Sequence, residues 1–356
     1  MSKRIAILGG YGSFGSLISE ELSHSAAVVV AGRNQRRGQK FADAIGADFS
    51  FCDARDNTSL RTVIQGADVV INASGPFLPN DYTIPRTCLE EGCHYIDLAD
   101  NRDYVMNFHG LHEAAQQSQV FACTGASTAP TVTYALISEL QRELTDIQSI
   151  RIYLSAGNKN RAGPSTFESI LSYAGTPVDI WEDGQWKRMM AWGWTEAFRF
   201  PDPVGKRLVQ LCDVPDLELF PKLFEAETVS FKAGLELTIF NLGMSALAHL
   251  KRQFPQIQLP ALARPLIRIS DLFKNFGSYA GGVLVKVEDK NRRSKSLALV
   301  TSRNGPRVPT APAVLLTRKI LQNGPPRHGA FPCIGFISAN ELSDYLEPFG
   351  IKMVPG

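Results

Sequence analysis

A strong charge of one sign is missing from this 356-residue sequence: 37 basic residues face 35 acidic ones, a formal net charge of +2. That balance leaves no electrostatic footprint for nucleic acid as a main partner. Cysteine is sparse. Cys52, Cys88, Cys93, Cys123, Cys212 and Cys333 form no C-x-x-C pair, and their spacing suggests neither a zinc site nor a disulfide framework. Reduced thiols in a cytoplasmic protein are expected. The six histidines do not cluster; His109 and His112 share a helix face without a third ligand, so no metal is expected. Long apolar runs are also absent. The nearest, "LELTIFNLGMSALAHL" at 235–250, contains Glu236, Asn241 and His249 and is too short and polar to span a membrane; a buried helix is expected there. The N-terminus, "MSKRIAILGG", enters a strand at once, with no apolar segment followed by a small-residue cleavage site, so no signal peptide is expected.

What is present is alternation. With 44% hydrophobic and 20% charged residues, the chain can bury a large core and is expected to divide into domains. "RIAIL" (4–8) reads as a strand, a glycine turn follows, and "SLISEELS" continues with helical spacing. "AAVVVAG", "ADFSFCDARD", "ADVVINASGPF", "HYIDLAD" and "VFACTG" are further strands, separated by helical segments that end at Gly46, Gly66 and Gly92. Asn57 or Thr58 suits the cap of the helix after the third strand. The pattern implies an α/β domain with a parallel sheet and crossover helices, a Rossmann dinucleotide-binding domain over residues 1–125. After about residue 126 the pattern changes. "SIRIYLSAG", "TVSFKAGLEL", "GVLVKVED" and "SLALVTSR" are alternating strands, and Asp183-Gly184 marks a turn between strand-like flanks. Residues 126–305 are therefore expected to form a second α+β domain, for substrate binding or dimerisation, on a mixed or antiparallel sheet. Helices follow at 310–324 and 338–350, the latter opened by a Ser338-x-x-Glu341 capping box.

The turn "LGGYGSFGSLI" parses as Gly10-x-Gly12-x-x-Gly15 or Gly9-x-x-Gly12-x-x-Gly15. Glycines there permit a tight turn and the close approach of a pyrophosphate, and the helix N-terminus offers N–H groups to it. Gly9, Gly12, Ser13, Phe14 and Gly15 are the expected cofactor-binding residues of this turn. The end of the second strand would face the adenosine ribose, where an acid would hold the 2′-hydroxyl of NAD. Here the chain carries Arg33 and Asn34, with Arg36 and Arg37 beyond. Guanidinium donors suit a 2′-phosphate, and cations at a helix start otherwise oppose its dipole, so NADP is the expected cofactor. Asp53, ending the third strand, would sit near the adenine or serve as an ordinary loop acid. Ala73, Ser74 and Gly75 end the fourth strand at the edge where such sheets bind ligands.

Candidate chemistry is thinner. Asp97 and Asp100 lie at a strand end near the expected cleft, where either could orient a substrate amine or transfer a proton; Asp97 could instead cap a turn. Tyr82, after the Gly-Pro loop, could donate a proton or simply pack. In "SAGNKNRAGPSTFES" (155–169), Lys159 and Arg161 bring two cations to a loop that enters a helix, which suits an anionic substrate group or a solvated surface. Trp181, Trp186, Trp192 and Trp194 could floor a pocket, pack, or build a homodimer interface. The segment "PALARPLIRISDLFKNFG" (260–277) mixes Arg264, Arg268 and Lys274 with apolar residues in the manner of a membrane-surface segment, although the sequence as a whole favours a small-molecule substrate over a membrane partner.

Together, "ILGGYGSFG", "ADVVINASGPF" and "IPRTCLEEGCHYIDLAD" resemble the saccharopine dehydrogenase-like oxidoreductases, a superfamily of saccharopine reductases and trans-acting enoyl reductases. The resemblance covers about residues 1–140. It implies an NADP-linked oxidoreductase that transfers hydride to or from a small molecule in an interdomain cleft, with residues 306–356 packing back on the first domain. Thr131 follows Pro130 where saccharopine reductases carry glycine, and no arginine pair matches an amino-dicarboxylate site, so a substrate is not carried over. The alternative function is a non-catalytic NADP-binding sensor or scaffold.

Overall fold

The computed structural model describes residues 3–160 and 163–356. The chain starts with β1 (Arg4–Leu8), α1 (Gly15–Ser23), β2 (Ala27–Gly32), α2 (Gln35–Ile45), β3 (Asp48–Phe51) and α3 (Asn57–Ile64). It continues with β4 (Val69–Asn72), α4 (Thr83–Glu90), β5 (His94–Asp97), α5 (Arg102–Asn107), α6 (His112–Gln117) and β6 (Phe121–Thr124). A second series holds α7 (Thr133–Gln141), β7 (Ile147–Ala156), α8 (Pro164–Tyr173), β8 (Pro177–Glu182), β9 (Gln185–Met190), β10 (Thr195–Arg199), β11 (Lys206–Leu211) and α9 (Asp216–Leu223). Next come β12 (Thr228–Leu235), α10 (Thr238–Gln253), α11 (Ala263–Leu272), β13 (Gly281–Asp289) and β14 (Ser294–Thr301). The chain ends with α12 (Arg307–Asn323), β15 (Gly329–Pro332), α13 (Ala339–Leu346) and β16 (Ile351–Pro355).

Two units result: residues up to Thr131 with Pro306–Ile337, and Val132–Gly305 with Ser338–Gly356. The first is a Rossmann-like domain. Its seven strands lie in the order β15-β6-β5-β4-β1-β2-β3, and every neighbouring pair is parallel. Near-continuous apolar strands such as "VVIN" in β4 follow from helices covering both faces. The winding reverses between β1 and β4, which makes their carboxyl ends the switch point where open α/β sheets take ligands. Helix α2 stops at Gly46, whose φ of 68° is a left-handed cap. The cap of α3 is Asp56, one residue before the expected Asn57, because its carboxylate accepts the Thr58 and Ser59 N–H groups. Helix α12 returns to α1 through Glu21, which holds Arg307 at 3.1 Å and Arg318 at 2.8 Å.

The second unit is a mixed sheet in the order β10-β11-β12-β7-β13-β14-β16, with β8 joining β12 and β9. Among the described strands of this sheet, only the β7–β12 pair is parallel. Asp183 and Gly184 turn the β8–β9 hairpin with φ of 55° and 73°, the double positive φ of a type I′ turn. The capping box of α13 forms as its sequence implies. Strand β16 then pairs with β14, so the last residues complete this sheet. Helix α10 corrects the expectation of a buried helix. Only Asn241, Met244 and Ala248 are buried, while Ile239 and Leu242 are exposed. Among the described residues no helix is long and apolar enough to cross a membrane.

Candidate functional site

The carboxyl ends of β1, β2 and β4 gather most of the expected cofactor residues. Gly9 leaves β1 with φ of 72°, and a Cβ on it would lie 2.9 Å from the Ala73 carbonyl oxygen, so the glycine turn and the β4 loop touch backbone to backbone. Gly15, the first residue of α1, has no room either: its Cβ would lie 2.2 Å from the Gly9 oxygen. Gly12 differs. A Cβ there would meet only the Gly9 oxygen, at 3.0 Å, and otherwise open space. The N-cap of α1, Phe14, makes no side-chain cap, and Ser13 is exposed. An open approach over Gly12 in front of an uncapped helix start fits a dinucleotide pyrophosphate.

The outer end is organised by Tyr11, which the sequence reading passed over. Its ring lies against Gly32, where a Cβ would be 2.6 Å from it. Its hydroxyl accepts the Asn34 N–H at 2.7 Å. Arg37 stands 5.6 Å from the ring centroid and donates to the Tyr11 carbonyl at 3.3 Å. Arg37 thus braces the turn, and the Asn34 side chain caps α2 by accepting the Arg37 N–H. Arg33 is exposed at the end of β2. Asp53 is paired with Arg55 at 3.0 Å, and that hydrogen-bonded guanidinium, with Arg33 further off, holds its carboxyl below the usual range. This donor set fits a 2′-phosphate better than a ribose hydroxyl, because the acid that is present already has a cation and Arg33 is exposed just past β2.

Toward the middle of the sheet, Asn72 ends β4 buried. Its Oδ1 accepts the Ser74 N–H at 3.0 Å and the Ser74 hydroxyl at 2.6 Å, while its Nδ2 donates to the Tyr95 hydroxyl at 3.2 Å. Ala73, Ser74 and Gly75 are therefore held in place by a residue whose only sequence signal is one amide closing an apolar strand. Asp97 is fully buried. Its Oδ1 accepts from the Thr124 hydroxyl (2.8 Å) and from the Gly125 (2.9 Å) and Ala99 (3.0 Å) N–H groups. Burial pushes its carboxyl up to about 6 against the pull of those donors. Its Oδ2 is enclosed without a partner in hydrogen-bond geometry among the described residues. Tyr82 is buried against Tyr104 and Phe108, and its hydroxyl donates to the Tyr104 carbonyl at 2.9 Å. Asp97 thus clamps the β6 turn and Tyr82 packs against Tyr104 and Phe108, as the turn-capping and packing alternatives for these two residues describe. Asp100 is half-buried on the loop after β5, just before Asn101 caps α5.

Lys159 lies in the second unit. Its N–H donates to the Ser278 carbonyl at 3.0 Å, and its ammonium stands 5.8 Å from the Tyr279 ring centroid. The loop is tied to Glu236, which accepts the Asn158 and Ser278 N–H groups at 2.8 and 2.7 Å and pairs with Arg207 at 3.3 Å. Burial works against the Glu236 charge, but these donors outweigh it and hold its carboxyl below the usual range. Arg161 lies outside the described residues. The tryptophans do not share a pocket floor: Trp192 is buried, Trp194 is 70% exposed, and Trp181 donates to the Ala226 carbonyl. Among the described residues no group of three or more His, Cys, Asp or Glu could hold a metal ion.

Residues 5–123 match the protein-family model described as the saccharopine dehydrogenase NADP binding domain. No curated protein matches the sequence. Among solved structures the chain is similar to apo saccharopine dehydrogenase (L-Glu forming) from Saccharomyces cerevisiae, at 14% identity and a TM-score of 0.69 over 99% of this chain and 100% of that one. A partial likeness, at 15% identity and a TM-score of 0.29, covers 34% of this chain and 80% of serine dehydrogenase from Escherichia coli. Residues 5–123 are thus similar to the saccharopine dehydrogenase NADP binding domain, and the chain shares the fold of the yeast enzyme.

Proposed function

We propose that the protein is an NADP-dependent oxidoreductase acting on a small molecule. The observation that carries this reading is the turn from Gly9 to Gly15: open over Gly12, closed behind Gly9 and Gly15, and braced by Tyr11 beside an exposed Arg33. When bound there, the nicotinamide cofactor supplies hydride transfer. The chain's own residues bind and orient. Gly12, Ser13 and Phe14 receive the pyrophosphate at the α1 start, Arg33 pairs with the 2′-phosphate, and Ala73, Ser74 and Gly75 support the cofactor along the β4 loop. Asp100, at the β5 carboxyl end, orients a substrate amine or moves a proton. Lys159 and Arg161 are the proposed contacts to an anionic group of the substrate.

The buried, partnered state of Asp97 and Tyr82 favours a second reading, a protein that binds NADP and reports its occupancy without turnover. Loss of reduced-nicotinamide absorbance with candidate imines and enoyl compounds separates the two. Turnover that Asp100→Asn lowers by about tenfold or more, with NADPH affinity unchanged, is the expected result. NADPH binding with no turnover across both compound classes supports the sensor.

A further inference from the structure

The exposed apolar surface of the second unit is concentrated on two helices. Ile239 and Leu242 lie on the outer face of α10, and Trp194, 70% exposed, stands against His249 of the same helix. On α11 only Ala263 is buried, while Ile269 is exposed, Leu272 is 76% exposed, and Phe276, just past its end, is 62% exposed. The two patches meet where Phe240 packs edge-on against Phe273, with ring centroids 5.4 Å apart. Isolated exposed apolar side chains are ordinary; a run of them across adjoining helices is not.

The charges around this surface say what it fits. Residues 237–280 contain five cations, Lys251, Arg252, Arg264, Arg268 and Lys274, and one acid, Asp271, in a chain whose charges otherwise nearly balance. Lys251 is turned to the Pro255 and Ile257 carbonyls, but Arg252, Arg264, Arg268 and Lys274 are exposed. Arg264, Arg268 and Leu272 follow one another at four-residue spacing, so cations and apolar side chains share the outward face of α11. A symmetric contact with a second copy would set these cations against each other. An anionic lipid surface satisfies both features at once: its headgroups take the cations, and the apolar side chains enter the headgroup–acyl boundary.

We infer that the α10–α11 face docks the protein on anionic membrane surfaces, lying on the bilayer without crossing it. This raises a reading that the sequence ranked behind a soluble small-molecule partner. It rests on the second unit alone and is independent of the cofactor site.

The test is flotation of the full-length chain with vesicles of phosphatidylcholine alone or with added phosphatidylserine. Binding is expected to the phosphatidylserine vesicles and to weaken as salt is raised. Leu272→Ser with Phe276→Ser should lower the partition coefficient by about tenfold or more. Arg264→Glu with Arg268→Glu should lower it by at least roughly tenfold, since each cation near such a surface is worth about a fivefold change. Leu223→Ser, at an exposed position on α9, should leave it unchanged. Circular dichroism and the thermal midpoint of each variant check that the chain is folded. No flotation of the wild type with phosphatidylserine vesicles would overturn the inference, as would flotation that both double variants retain. So would a wild-type dimer that Leu272→Ser with Phe276→Ser converts to a monomer, which would assign the face to a second copy.

Discussion

Arg33 and Arg37 stand four residues apart in a cluster that reads as one cationic patch, yet the structure gives them different work. Arg37 is drawn onto Tyr11 and braces the turn, while Arg33 remains exposed. Arg33→Ala should therefore weaken NADPH by about 1.5–3 kcal/mol and leave NADH nearly unchanged. Arg37→Ala should weaken both cofactors, because it loosens a turn that both use; paired calorimetric titrations distinguish the two patterns. Asp97 gives a stability prediction. Its folded pKa, about 6, lies above the value near 3.9 of an unfolded aspartate. Between about pH 4 and 6 the folded chain keeps a proton that the unfolded chain has lost, so stability falls as pH rises through that window. Asp216, buried and raised to about 7, acts in the same direction over a window reaching about pH 7. The urea midpoint should accordingly be higher at pH 5 than at pH 7. Asp97→Asn should shrink that difference while keeping the fold, since an amide oxygen still accepts the three hydrogen bonds. Asp97→Ala should cost about 3 kcal/mol by stranding buried donors.

The glycine turn and α1 separate binding from folding. Gly15 faces backbone at 2.2 Å, so Gly15→Ala must move the turn and should lower both thermal stability and NADPH affinity. Gly12 faces open space beyond the Gly9 oxygen, so Gly12→Val should leave the melting temperature within a few degrees while abolishing cofactor binding. A soluble Gly12→Val protein that titrates normally would remove the pyrophosphate assignment. This turn was legible in the sequence because strand, glycines and helix follow one another without interruption. So were the Asp183-Gly184 hairpin and the Ser338 capping box, whose chemistry is local. Tyr11, Asn72 and the clamp on Asp97 were not. Their partners are Gly32 and Asn34, Tyr95, and Thr124 with Gly125, each brought near by sheet order rather than by sequence distance. Helix α10 was misjudged because apolar content reports hydrophobicity, not which face a neighbour covers.

Each of the two units has its own sheet, and the proposed cofactor residues all fall in the first. NADPH should therefore slow amide exchange around residues 9–16, 33–37 and 73–75, and leave the β13–β14 hairpin unchanged. The contacts of the proposed substrate residue Lys159 were not legible, because its loop has no periodic pattern and Asn158 and Lys159 are held by distant segments through Glu236 and Ser278. The cofactor assignment is the central claim and can be tested without a substrate. Calorimetric titration of the wild-type chain with NADPH and with NADH, side by side at one ionic strength, tests it most directly. The account predicts that NADPH binds tighter by about tenfold or more, as a charge-assisted contact from Arg33 to the 2′-phosphate requires. Equal affinities, or tighter binding of NADH, would contradict it.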